Sequence, residues 1–213
     1  MDTSRRRAGL GLLVYGLGTP IAFMAIGSPG GDYIDSRVVA YMDRGHWVAA
    51  SALAYLGAFA AVGLLLGGHH LRRELGSAGD LFWALTVAAT TAAVVGWFLV
   101  AGIAVAFAEG GAHMPPVPHG VVQVVAEMSN LVAVCASAFF LGLAAIVLAA
   151  RMTLPAGLRI ASYVAGACGV LAAFFFPIFL FWLWAIILGG WLAATGAERR
   201  PDAVLPGRVT TSV

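Results

Sequence analysis

From Leu158 to Thr195 the chain runs for 38 residues with one charged side chain, Arg159. A helix crosses the hydrocarbon core of a bilayer with ~20 apolar residues, so this run is too long for one crossing. Pro177 divides it. Proline lacks a backbone N–H and suits the first turn of a new helix, where that donor has no intrahelical partner anyway. The run is therefore read as a tight hairpin of two spans, 158–176 and 177–195.

Four further segments have the same character, at about 8–27, 47–68, 81–108 and 119–150. The expected fold is all-α, a polytopic membrane bundle of six transmembrane helices. Residues 1–195 form one domain, and 196–213 form a cytoplasmic tail expected to be disordered. Composition agrees: the 213 residues are 61% hydrophobic and 10% charged, where a soluble domain carries about 25% charged residues. The opening Ser4-Arg-Arg-Arg-Ala-Gly-Leu resembles a signal peptide but is read as the start of the first span.

Every basic side chain is an arginine. With six spans, Arg5, Arg6, Arg7, Arg72, Arg73, Arg151, Arg159, Arg199, Arg200 and Arg208 fall on one side, and only Arg37 and Arg44 on the other. Because cytoplasmic loops carry the arginine excess, both termini are expected in the cytoplasm. Seven spans would destroy that asymmetry. The net charge of +2 is small, and the arginines cluster beside apolar segments. They read as topology determinants, not as a nucleic-acid footprint.

Two outer loops stand out. Residues 28–46 hold Asp32, Asp35, Asp43 and His46, and Asp35 or Ser36 could cap a short interfacial helix that ends before Gly45. Residues 109–118 are so rich in proline and glycine that a non-helical loop is expected. Small residues spaced four apart, Ala161, Ala165 and Gly169, suit close helix packing. Cys135 and Cys168 lie in apolar segments and read as packing residues.

The segment from His119 to Ser137, HGVVQVVAEMSNLVAVCAS, carries polar groups that lipid cannot satisfy. At 100° per residue from His119, Gln123 falls near about 40°, Glu127 about 80°, Asn130 about 20° and Ser137 about 0°. They form one stripe, expected to face the bundle interior. Burial disfavours the charged form of a carboxyl group, so an intramembrane acid keeps its proton and can donate it. Glu127 is the candidate acid, with Asn130 or Gln123 orienting it. Structural glue or an interfacial cap is an equally open role for the stripe.

Matching depths across the bundle adds Tyr55 with Ser51 and Trp47 on one face of the second helix, Trp97 on the third, and Thr19 beside Pro20 on the first. With His119 these are the candidate substrate-binding residues. No metal site is expected, since His46, His113 and His119 lack a helical ligand spacing. No cofactor is expected either: the histidines lie at helix ends, where they do not suit haem. No serine nucleophile elbow is present.

The stretches VAYMDRGHWVAASALAYLGA (39–58), GGHHLRREL (67–75) and RMTLPAGLRI (151–160) resemble a family of small six-helix membrane proteins of unknown function in high-GC bacteria. The resemblance implies a multi-pass protein of the bacterial cytoplasmic (inner) membrane and supplies no activity. In size and polytopic character alone the chain is also distantly similar to small integral-membrane terpene cyclases, which implies proton-initiated isoprenoid cyclisation as one possible chemistry. Three function classes follow from the residues. The first is an enzyme or binder for a lipophilic small molecule, the second a non-catalytic subunit of a homo-oligomer or larger membrane complex, and the third a proton-coupled transporter. Membrane lipids are partners in all three, and nucleic acid in none.

Overall fold

The computed structural model describes residues 3–26, 35–42, 44–113, 117–174 and 177–198, and the described residues are helical almost throughout. Helix α1 is Thr3–Ala25, α2 Asp35–Met42, α3 Arg44–Glu74 and α4 Gly79–His113. Helix α5, His119–Leu131, passes through a π-turn at Val132–Ala136 into α6, Ser137–Arg151. Helix α7 is Ala156–Val170, a 3₁₀ turn follows at Ala172–Phe174, and α8 is Pro177–Glu198. Five stretches are long and apolar enough to cross a membrane: α1, α3, α4, the joined α5–α6, and α8.

Glycine and alanine set the packing. Gly9 of α1 lies on the backbone of Gly189 and Ala193 of α8, Gly16 lies on Ile186, and Phe23 meets Trp182 at 5.8 Å between ring centroids. Residue numbers rise along α1 as they fall along α8, so these helices are antiparallel. The start of α1 and the end of α8 lie at the same end of the bundle. On its other side α1 packs antiparallel to α3, Gly11 against Gly63 and Gly67, and Gly18 against Ala60. A methyl group at Gly142 of α6 would lie 2.7 Å from the Gly166 carbonyl oxygen and 2.8 Å from the Val170 nitrogen. Helices α6 and α7 thus touch backbone to backbone, which only small residues allow.

One end of the bundle is charged. Arg5 holds Glu74 in a two-pronged pair, Nε–Oε1 at 3.1 Å and Nη2–Oε2 at 2.9 Å. Arg72 Nε donates to Asp80 at 2.8 Å, and Arg151 closes α6 near the same end. At the opposite end α2 packs against α3, α4 and α5.

The structure departs from the sequence expectations in three places. The 109–118 segment is not a loop throughout: α4 continues to His113, and helix resumes at His119. The span expected at 158–176 is a 15-residue helix followed by a 3₁₀ turn, shorter than a usual span. Of the expected small-residue stripe, Ala165 and Gly169 are buried while Ala161 faces outwards, and the closest contacts with α6 are made by Gly166 and Gly169. Helix α8 runs three residues past Thr195, and the rest of the expected tail lies outside the described residues. The new helix does begin at Pro177, and the short helix expected after residue 35 is α2.

Candidate functional site

Along α5, the π-turn and the start of α6, the buried positions share one helical face, each three or four residues from another: Val122, Gln123, Ala126, Ser129, Asn130, Ala133, Val134, Ser137 and Ala138. On the helical wheel the buried arc of α5 and the π-turn runs from about 280° round to about 60°. Gln123, Asn130 and Ser137 fall inside that arc, and each is at most 2% exposed. Glu127, at about 80°, falls on its margin and is half-buried. His119 shares the stripe's direction, but it is the first residue of α5 and is exposed.

Glu127 has an aromatic neighbourhood at the end of the bundle where α2 packs. Tyr41 of α2 is 2% exposed, lies 4.5 Å from the His46 ring and 6.3 Å from Phe107. Burial, and then the negative charge of Glu127, push the Tyr41 phenol up to about 12. Helices α2, α3, α4 and α5 each contribute one group to this cluster. His46, Gln123 and Glu127 all interact with neighbouring groups.

Most buried hydroxyls of the bundle bond back into their own helix. Thr86 donates to the Phe82 carbonyl at 2.8 Å, Ser129 to Ala126 at 2.7 Å and Ser137 to Val134 at 2.9 Å. Another set does not. The Tyr15 hydroxyl, Thr19 Oγ1, Trp97 Nε1, Asn130 Oδ1 and Trp182 Nε1 are buried with no hydrogen-bond partner among the described residues. Tyr15 nevertheless lies beside Ser137 and Trp182 and interacts with both. Thr19 stands one turn along α1 from Tyr15, on the same face. Gly96 packs on Ala133 of the π-turn, and the indole of its neighbour Trp97 lies against Gly57 of α3. The orphaned groups thus come from α1, α4, α5 and α8, on either side of the π-turn. Leaving a polar group unpaired in an apolar interior costs about 1–3 kcal/mol, so such a set calls for an occupant or a use.

No family model, curated protein or solved structure matches the chain.

The geometry alone therefore assigns roles. Trp97, Thr19, Asn130 and Gln123 are interior. Tyr55 is not: its ring is 51% exposed and packs edge-on against Phe98 at 5.3 Å, on the outside of the bundle. Ser51 and Trp47 are half-buried on α3. Tyr55's face was read from depth alone, and depth does not give the rotation of a helix whose sides are both apolar. Tyr15, Trp182 and Tyr41 were missed. Tyr15 had a signal, since it precedes Thr19 by one turn, but Trp182 lies in an aromatic run with no angular contrast. Among the described residues no group of three His, Cys, Asp or Glu side chains could hold a metal ion.

Proposed function

We propose that the chain is a six-span protein of the bacterial cytoplasmic membrane that takes a lipophilic small molecule into its interior and exchanges a proton with it at Glu127. The observation carrying this reading is the set of unpartnered polar atoms on either side of the π-turn. Asn130 is ~4.5 Å further along the helix axis from Glu127. A polar head held at Asn130, the orphaned group nearest in sequence, would lie about one turn from the carboxyl group, with its apolar body among the aromatic and aliphatic side chains.

The topology has independent support. The antiparallel pairing of α1 with α8 puts both helix ends together and requires an even number of crossings. Five crossings would be odd, which favours α7 as a sixth. Its 15 residues rise ~22 Å, and the 3₁₀ turn adds ~6 Å, close to the hydrocarbon thickness. The arginine-rich end is then cytoplasmic.

Proton-initiated isoprenoid cyclisation is one chemistry such a site could run, with Glu127 as the acid. Its support is Glu127 and the buried Trp97 ring; the Tyr55 ring lies outside the bundle and gives a carbocation no help. The test is mass spectrometry of lipophilic molecules retained by the purified protein. A discrete lipophile in excess of bulk phospholipid is expected, and Glu127→Gln should retain it without converting it. A wild-type protein carrying bulk phospholipid alone overturns the reading.

A second reading, as a subunit of a larger membrane complex, is favoured by an outward-facing apolar groove of 320 Å³ between α7 and α8, lined by Ile160, Ala161, Val164 and Leu183. Stable co-purification with another membrane protein, and no small molecule, would select it.

A further inference from the structure

We infer that the seam between α1 and α3 holds one anionic phospholipid, its phosphate between Arg7, His70 and Arg73 and its acyl chains over the apolar side chains below them. The site lies at the charged end of the bundle and uses no part of the Glu127 reading.

The register of the two helices places the groups. Gly11 of α1 lies on Gly63 and Gly67 of α3, and Gly63 lies against the Val14 side chain. Nearer the charged end, the Ser4 hydroxyl is 3.2 Å from His70 Nδ1. Arg7 shares the α3-facing side of α1 with Ser4 and Gly11, at spacings of three and four, and Arg73 follows His70 by one turn. Arg7, His69 and Arg73 accordingly all act on His70 through their charge. The His69 ring lies edge-on to Trp83 of α4 at 5.9 Å, and tryptophan favours the headgroup level of a bilayer.

The cations at this end are unevenly matched. Arg5 is paired with Glu74, and Arg72 with Asp80. Arg7 and Arg73 are exposed and have no carboxylate partner among the described residues. A guanidinium stays charged, so the two repel unless an anion stands between them. The surface below decides which anion. In steps of three and four from Arg7, Leu10 and Val14 stand exposed on α1; Leu66 and Val62 stand exposed on α3, on the side of Arg73. Two apolar stripes that adjoin along the glycine contact are each capped by an unpaired arginine at the same end. Apolar surface under a cationic cap complements an amphiphile with an anionic head, and arginine suits phosphate oxygens by its two-pronged geometry. A soluble phosphate would use the cap alone.

The experiment holds the whole protein in nonionic detergent with equal amounts of dioleoylphosphatidylglycerol and dioleoylphosphatidylcholine, and counts retained lipid by native mass spectrometry. One phosphatidylglycerol per chain should be retained, with roughly twentyfold preference over phosphatidylcholine. Arg7→Gln and Arg73→Gln should each cut that preference by roughly fivefold. Arg6→Gln removes an exposed arginine that is turned about 100° away from Arg7 on α1, and should leave the preference unchanged. Glycerol 3-phosphate, the head without the chains, should not displace the lipid. Equal retention of the two lipids overturns the inference. So does an equal loss in all three variants, which would show diffuse surface charge. Displacement by glycerol 3-phosphate overturns it in favour of a soluble phosphate ligand. If a variant fails to fold, the wild-type preference and the glycerol 3-phosphate competition decide. Arg7→Gln and Arg73→Gln should keep any interior lipophile, so failure here leaves proton exchange at Glu127 standing.

Discussion

Trp184 of α8 donates its indole N–H to the Ser162 hydroxyl of α7 at 2.9 Å, and Ser162 in turn donates to the Leu158 carbonyl at 2.8 Å. This relay joins the two helices of the closing hairpin through a fully buried serine. Ser162→Ala leaves a buried donor unpaired and should cost about 1–3 kcal/mol. Thermal unfolding in detergent should show the loss. Trp184→Phe, which removes the same bond from the other side, should also lower the midpoint; unchanged midpoints in both variants would show that the relay contributes nothing.

Gly142 and Gly102 offer a matched pair. A methyl at Gly142 meets the backbone of α7, whereas nothing lies within 4 Å of one at Gly102. Gly142→Ala should therefore force α6 and α7 apart and cost about 1–3 kcal/mol. Gly102→Ala should be neutral or stabilising by up to about 1 kcal/mol, through helix propensity. Equal effects in the same unfolding assay would contradict the observed contact.

Tyr41 gives a pH dependence of known sign. Its phenol ionises near 10 in an unfolded chain and is pushed up to about 12 when folded. Below pH 10 both states are protonated and Tyr41 contributes nothing. Between pH 10 and 12 the unfolded state releases its proton first, so stability falls with rising pH, by about 2 kcal/mol at pH 12. Phenolate absorbance should reveal a late-ionising tyrosine that disappears in Tyr41→Phe. Glu127→Gln should move that midpoint down part of the way, since burial remains. An unmoved midpoint would separate Glu127 from Tyr41.

The termini can be located directly. Reporters that fluoresce only in the cytoplasm, fused in turn to either end, should both be bright. One bright and one dark fusion would exclude an even number of crossings and therefore the α1–α8 pairing.

Much of the architecture was legible from local chemistry. Long apolar runs must be helical wherever lipid surrounds them, and Pro177 starts a helix because it lacks the donor that an interior position needs. The polar stripe was legible for a similar reason: Gln123, Asn130 and Ser137 contrast with apolar neighbours, so a period could be read and an inward direction assigned. The 109–118 segment was misjudged because proline and glycine weigh against helix as composition, whereas the prolines fall after His113 and α4 can run up to them.

What the chain determined by itself is which segments are helical and which way polar positions on a mixed face must turn, because both depend on one helix and its solvent. The tertiary structure alone decided that Tyr55 looks outwards, that Tyr15 and Trp182 meet near Ser137, and that Glu127 sits at the margin of the interior beside Tyr41. Those facts depend on the rotation and pairing of helices that are apolar on every side. In such helices the sequence carries no contrast, and the fit of Gly9 on Gly189 or Gly142 on Gly166 is what chooses.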